Sequence, residues 1–313
     1  MEIHQSAFLG GRMLKGGLHC HTTRSDGKGD PADVIRLHRA HGYDFLAITD
    51  HRVYNRTNFA PETGVTILPG MEFDNNLESG AGFRTFHTVC IGADDETNPY
   101  TQDQRFESGT AKDQFEYQPY LDRLHQNSQM TIYCHPEWSN TPARYFDRQK
   151  GNFAMEIYNS SSVLCDEADA NAAYWDELLG QGIRIFGVAT DDGHGMHEHC
   201  RGWVMVRAEN TVPAIRAALA HGDFYSSCGP MIRDFYIRDN MVCIDTSPCA
   251  KILFRSDKHP TRVFRPADDR PFTHAEFDFQ SRGWAGPYES YIRAEVVDAE
   301  GRRAWTNPIF LHD

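Results

Sequence analysis

The chain has 313 residues with a formal net charge of -13, 40% hydrophobic and 24% charged residues, and a mean hydropathy of -0.57. That length suits one barrel-sized domain with a smaller companion, and no run approaches the ~18 apolar residues a membrane span requires. The acidic balance repels polyanions unless bound cations offset it locally, so nucleic acid is a disfavoured partner. Met1 to Lys15 lacks a basic patch followed by an apolar stretch, and the 8 cysteines show no CxxC pair. No secretory signal is read, the thiols are read as reduced, and the expected compartment is the cytoplasm.

Seven short apolar runs of strand length are read in the first part of the chain: Met13–Cys20, Asp44–Thr49, Val65–Phe73, Arg84–Gly92, Met130–Cys134, Ala154–Tyr158 and Ile183–Ala189. Helical punctuation separates several of them. Asp30-Pro31 reads as a cap and first-turn proline before Val34, Ile35 and Leu37, with Gly42 closing the helix. Trp175, Leu178 and Leu179 repeat at helical spacing before Gly180. A further unit, Trp203–Val206 followed by Thr211–His221, closes this part of the chain. Strands alternating with helices predict parallel β/α units, and seven of them predict an incomplete or distorted barrel. After Gly229-Pro230 only strand-like runs remain, such as Tyr291–Val297 and Ala304–Leu311 around a turn at Asp298–Gly301. The expected organisation is an α/β domain over 1–229 and a small all-β domain over 230–313.

Chemistry gathers at the ends of the strand runs, where β/α barrels build their sites. The first run ends in His19-Cys20-His21, and strand alternation points both imidazoles to one face. Asp26 follows in the next loop. The second run ends in Thr49-Asp50-His51, the third carries Glu72, the fourth His87, and the fifth ends at His135-Pro136. The seventh leads into Asp191-Asp192-Gly193-His194. Candidate metal ligands are therefore His19, His21, Asp26, His51, Glu72, His87, His135, Asp192 and His194. A single catalytic zinc uses about three protein ligands and a water, so this set predicts two or three divalent ions. Its histidine content favours Zn, Fe or Mn over the oxygen-seeking Mg and Ca. No GxGxxG or GxxxxGKS/T segment is present, which removes support for a nucleotide-binding open sheet.

These motifs, in this order, resemble the PHP family, named for its polymerase-associated and histidinol-phosphatase members. The resemblance runs from Leu18-His19-Cys20-His21 and Ser25-Asp26-Gly27 through Ile48-Thr49-Asp50-His51, Glu72, His87 and His135-Pro136 to Asp192-Gly193-His194. Gly202-Trp203, Phe224-Tyr225-Ser226 and Ala304-Trp305-Thr306-Asn307-Pro308 look like the tail of its two-domain members. It implies a distorted (β/α)7 barrel with a small C-terminal all-β domain. It also implies a metal-dependent phosphoesterase acting on a small-molecule phosphate ester through a metal-bridging hydroxide. By the same resemblance one ion falls to His19, His21, Glu72 and Asp192, a second to Glu72, His87 and His135, and a third to Asp26, His51 and His194. Glu72, Asp192 and His194 are then read as the catalytic residues, with Asp191 the rival of Asp192.

Arg24, Arg52, Tyr54 and Arg201 stand close in sequence to these ligands and are candidate phosphate contacts, against the plainer reading of surface salt bridges. Glu156 and Asn159 are expected to hydrogen-bond the ligands, Cys20 and Cys134 to point into the core, and His197 and His199 to lie in a solvent-exposed loop. Three other functions compete. An amidohydrolase-like hydrolase also begins with HxH, but its usual bridging lysine has no counterpart at these strand ends. A non-catalytic metal-binding module would be expected to have lost part of the ligand set. A nuclease-like phosphodiesterase is weakened by the acidic charge and the lack of a basic, aromatic groove. Monoester, diester and cyclic phosphate remain equal choices.

Overall fold

A computed structural model describes residues 2–79, 82–257, 262–266, 270–278 and 290–311. The chain begins with β1 (Glu2–His4) and β2 (Met13–Gly17), followed by α1 (Pro31–Ala40). Asp30 caps α1 by accepting from the Ala32 amide, Pro31 occupies the first turn, and Val34 and Ile35 are buried, as the cap and proline signal predict. Next come β3 (Phe45–Ala47) and β4 (Thr66–Leu68). The run expected as one strand over Val65–Phe73 breaks at Pro69, and β5 (Gly70–Ser79) belongs to a different sheet. Proline has no amide hydrogen to give a ladder and restricts the residue before it. Gly70 then passes so close to Cys90 that a Cβ would meet its carbonyl oxygen at 2.4 Å.

β5 returns directly as β6 (Gly82–Gly92), antiparallel along its length, which corrects the expected succession of parallel units. The stretch between the two apolar runs is shorter than the dozen or more residues a parallel crossover needs, so a hairpin forms instead. α2 (Gln114–Gln126), which the sequence reading did not place, is capped by Asp113. It precedes β7 (Gln129–Tyr133), which is also antiparallel to β6. β7, β8 (Asn152–Asn159) and β9 (Phe186–Thr190) are parallel. Between β8 and β9 lie α3 (Ser160–Asp166) and α4 (Asn171–Gly180), the latter burying Trp175, Leu178 and Leu179. β10 (Trp203–Arg207), α5 (Val212–His221) and β11 (Phe224–Ser227) follow, with Thr211 capping α5.

Beyond Pro230 the described elements are strands alone: β12 (Ile232–Arg238), β13 (Met241–Cys249), β14 (Lys251–Ser256), β15 (Arg262–Phe264), β16 (Phe272–Asp278), β17 (Tyr291–Val297), β18 (Arg303–Thr306) and β19 (Ile309–Phe310). The result is a mixed α/β fold with three sheets among the described residues. They are ordered β1-β12-β13-β16, β15-β14-β17-β18-β11-β10-β2-β3-β4, and β5-β6-β7-β8-β9, with β19 beside β17. No closed barrel forms among these strands. Even so, Leu14, Phe45, Leu68, Val89, Ile132, Ala154, Val188 and Val204 share one apolar core, so strands of the two larger sheets face each other across it. Each fully buried side chain of this kind contributes roughly 1.5–3 kcal/mol. Single bridges join the two sheets: Cys20, just past β2, with Gly193, past β9, and His51, past β3, with Glu72 on β5. A second core under the C-terminal strands includes Phe235, Ile244 and Phe254 together with Tyr225, and Phe8 and Met13 pack against it.

Candidate metal centre

Those bridges assemble the site. Just past β2 the backbone of His19 and His21 is fastened on one side by Asp192 N to His19 O (3.0 Å) and His21 N to Gly193 O (3.1 Å). On the other side Thr49 N donates to Cys20 O (2.9 Å). Alternation puts both imidazoles on the inner face and turns the Cys20 thiol toward the Ala47 carbonyl at 3.4 Å. Cys134 is likewise in the core. Both cysteines lie where the sequence pattern places them.

Glu72, fully buried on β5, is the hub. Its Oε1 lies 2.9 Å from His87 Nδ1 and 3.4 Å from His135 Nε2. Its Oε2 lies 3.0 Å from His51 Nδ1, 3.3 Å from His21 Nε2 and 3.4 Å from His19 Nε2. Asp192 Oδ1 completes this side at 3.2 Å from His19 Nε2 and 3.0 Å from His21 Nε2. Asp26 faces His194, His51 and His21 at 3.5, 3.7 and 3.8 Å. All nine sequence-derived candidates are therefore brought together. Three overlapping groups have their donor atoms within 4.8 Å of one another: His19, His21, Glu72 and Asp192; His51, Glu72 and His87; and His21, Asp26, His51 and His194.

The outward ring nitrogens fix how these histidines present themselves. His19 Nδ1 donates to Glu156 Oε1 at 2.7 Å, His87 Nε2 to Asn76 Oδ1 at 2.9 Å, and His194 Nδ1 to the Asp192 carbonyl at 2.8 Å. In the neutral ring the opposite nitrogen then carries a lone pair, and in all three it is aimed at a carboxylate. Glu72 Oε2, Asp192 Oδ1 and His51 Nδ1 are buried without a hydrogen-bond partner. Lone pairs converging on carboxylates in a buried space are stable only with protons or metal cations between them. The donor set fits divalent ions, and the hydrogen-bonded far nitrogens are the support metal-bound histidines ordinarily have.

Electrostatics agree. Burial pushes the Glu72 carboxyl upward, but His51, His87 and His19 more than offset it and hold it well below its usual range. Burial and histidines act on Asp192 in the same opposed way, with His19 and His21 dominant. Burial lowers His19, yet Asp192, Glu72 and Glu156 bring it well above its usual value. His87 is the exception, burial outweighing Glu72 so that its pKa falls.

Asp191 does not face the cluster. Its carboxylate accepts from the amides of Cys200 (2.6 Å), Arg201 (2.8 Å) and Gly202 (2.8 Å), so geometry selects Asp192 of the doublet. Asp192 takes a positive φ of 51° and His135 one of 24°, uncommon for residues with a side chain and seen where surrounding structure holds them. Glu156 and Asn159 are hydrogen-bond partners as expected: Glu156 Oε2 accepts from His135 N at 2.8 Å, and Asn159 donates to Glu156 and to Asp192 at 2.8 and 3.0 Å.

A cavity of about 180 Å³ opens on the cluster, walled by Trp138, Ser161 and Ser162 besides the acidic and histidine side chains. The sequence reading named none of these three. Their only signal was position, Trp138 just after His135-Pro136 and the serines directly after β8. The four proposed phosphate contacts fare differently. Tyr54 is corrected: it is buried in the core, donating to Gln129 at 2.9 Å and accepting from Asn98 at 2.8 Å. Arg24 is engaged by Asp103 and lies over Phe59, and Arg201 Nε donates to the His197 carbonyl at 2.8 Å. Arg52 Nε lies 3.2 Å from Asp74, which is itself 3.4 Å from His51. His197 is exposed as expected, but His199 is buried at 5% exposure, a second correction. Among the described residues no helix is long and apolar enough to cross a membrane.

No protein-family model matches the sequence. A 5'-3' exoribonuclease from Haemophilus influenzae is 33% identical over 86 residues, 26% of this chain, and the match spans 30% of that protein's length. The structure is similar to a two-domain protein containing a predicted PHP-like metal-dependent phosphoesterase from Bacteroides vulgatus. The TM-score is 0.48 at 13% identity, over 95% of both chains. An amidohydrolase from Chromobacterium violaceum with bound sulfate and no metal aligns with a TM-score of 0.40 at 15% identity, covering 58% of this chain and 88% of that one.

Proposed function

We propose that this chain is a metal-dependent phosphoesterase of the PHP kind that hydrolyses a small-molecule phosphate ester. The observation that carries the reading is the set of histidine lone pairs held against Glu72, Asp192 and Asp26 by hydrogen bonds to the opposite ring nitrogens. The reading of the two facing sheets as a distorted (β/α)7 barrel, with 1–229 and 230–313 as separate domains, belongs to the same proposal.

His19, His21, Glu72 and Asp192 would hold one ion, Glu72, His87 and His135 a second, and Asp26, His51 and His194 a third, Glu72 lying between the first two. Such ions would bring the pKa of a bound water toward neutrality and neutralise charge on the phosphoryl and leaving oxygens. Glu156 and Asn159 fix the orientation of His19 and Asp192. Ser161 and Ser162 are small polar residues on the cavity wall, the Ser161 hydroxyl donating to Glu198 at 3.3 Å, and Trp138 covers the side next to His135 and His87, its ring 4.9 and 6.0 Å from theirs. The small cavity and the net charge of -13 favour a compact substrate.

A phosphodiester end of RNA is the second reading, favoured by the exoribonuclease match. The amidohydrolase alternative has less support, since among the described residues no lysine lines the cavity that opens on Glu72. Metal-reconstituted protein assayed on phosphomonoesters, diesters, cyclic phosphates, a 5'-phosphorylated oligoribonucleotide and simple amides separates these readings. Turnover of a small phosphoester is expected. Fully metallated protein inert across the phosphoesters would overturn the proposal, as would a Glu72→Ala variant retaining full metal content and rate.

A further inference from the structure

His38 on α1, Asp191 at the end of β9, and His199 in the loop before β10 bring their donor atoms within 4.8 Å of one another. Their residues are 0%, 2% and 5% exposed. None of the three belongs to the ligand set gathered about Glu72. His38 Nδ1 lies 2.8 Å from the Val34 carbonyl and so donates to it. Its Nε2 then carries the lone pair, 3.5 Å from Asp191 Oδ2 and without a hydrogen-bond partner. Both ring nitrogens of His199 are buried and unpartnered. An imidazole that leaves a donor and an acceptor unsatisfied in the interior destabilises the fold unless a partner is supplied. Gly193 makes room for this ring, since a Cβ there would lie 2.5 Å from His199 Nδ1.

We propose that His38, Asp191 and His199 form a further zinc site, separate from the centre about Glu72, with a water as fourth ligand. Tetrahedral zinc at bond lengths of about 2.0–2.1 Å sets its ligand atoms roughly 3.3 Å apart, close to the His38–Asp191 spacing. The Asp191 carboxylate is already oriented by the three amides of Cys200, Arg201 and Gly202, which hold Oδ2 on the side of His38. Zinc there fastens α1 to the loop over residues 191–202, the same loop that delivers Asp192 and His194. Its role is to hold that loop, so the inference stands whether or not the chain is a phosphoesterase.

The test is zinc stoichiometry of the full chain, stripped with chelator, reloaded with zinc chloride, freed of excess metal and measured by mass spectrometry. Wild type is expected to carry one zinc more per chain than His199→Ala or His38→Gln, with circular dichroism confirming that the variants remain folded. Anomalous scattering at the zinc edge from crystals soaked in zinc chloride is expected to give a peak between the three side chains, which decides the matter even if the variants misfold. Equal zinc counts in wild type and folded variants, or anomalous density confined to the cluster about Glu72, would overturn the site.

Discussion

Glu156 shows how much a single residue outside the nine clustered histidine and carboxylate residues controls. Its two oxygens take up His19 Nδ1, the His135 amide, the Thr190 hydroxyl and Asn159, so it sets both a ring tautomer and a backbone position. Glu156→Gln removes the charge and places a donor where acceptors are needed. Metal affinity, read by competition with a chromogenic chelator, is expected to fall about 10–100-fold; unchanged affinity would show that His19 is oriented by something else. The titrating residues also fix how the metal-free protein answers to pH. Glu72, Asp192 and Asp26 are depressed below the ordinary carboxyl values of 4.5 and 3.8, so their contribution is complete above that range and lost as pH falls through the depressed values. His19, His21, His51, His135 and His194 are raised above 6.5, so theirs is complete below 6.5 and lost as pH rises through the raised values. His87 opposes them, as do His199, lowered to about 4 by burial, and His125, lowered by burial. Stability of the chelated protein is therefore expected to peak between about pH 4.5 and 6.5, and added zinc to move the maximum upward because metal and proton compete for the same nitrogens. Urea midpoints across that range check it, and a chelated protein still gaining stability toward about pH 8 would contradict it.

At the scale of elements, the loop between β9 and β10 matters most, because it carries Asp192 and His194 yet has no regular structure of its own. Its closure depends on Gly202, where a Cβ would lie 2.4 Å from the Thr190 carbonyl oxygen. Gly202→Ala must push the loop off β9, at a cost of about 1–3 kcal/mol. Reduced metal content at saturating zinc is expected together with the lower unfolding midpoint; a stable variant with full content would show that the loop shifts without moving Asp192. The neighbouring hairpin of β5 and β6 works differently. It sets Glu72 and His87 on adjacent strands whose ladder holds their carboxylate and ring at contact distance, so the pair needs no loop to position it.

Across the whole molecule, Arg293 joins the C-terminal strands to α4. Fully buried, it pairs with Asp176 through Nε at 2.7 Å and Nη2 at 2.6 Å, meets Glu295 at 2.9 Å, and lies over the Trp175 ring at 4.6 Å. Glu295 keeps Arg255 and Arg303 as partners, whereas Asp176 loses its bidentate partner if Arg293 is removed. Breaking a fully buried pair from one side costs about 3–5 kcal/mol, and Asp176, 25% exposed and still bonded by the Tyr291 hydroxyl, lowers that cost. Arg293→Ala is expected to lower stability toward the lower end of that range in denaturant while leaving zinc per folded chain unchanged. Loss of zinc in the folded variant would mean that the C-terminal strands also shape the metal centre. The β11–β18 pairing and the packing of Phe8 and Met13 under the C-terminal strands add to the same connection.

The positions of the histidine–carboxylate cluster were legible in the sequence because each depends on local pattern: alternation puts His19 and His21 on one face, and the strand runs end where His51, His135 and Asp192 stand. The caps of α1 and α5 were legible for the same reason. The Pro69 break and the β5–β6 hairpin were written there too, in a proline and a short connection, but the apolar pattern alone hid them. What only the tertiary structure decided is which side chains meet across strands. It turned Asp191 to the loop amides, took Tyr54 into the core, buried His199 beside His38, and set Trp138 over the ligands. Periodicity reports the face a residue occupies on its own strand, whereas the opposing face comes from chain far away in sequence, and its approach is fixed only when the sheets pack.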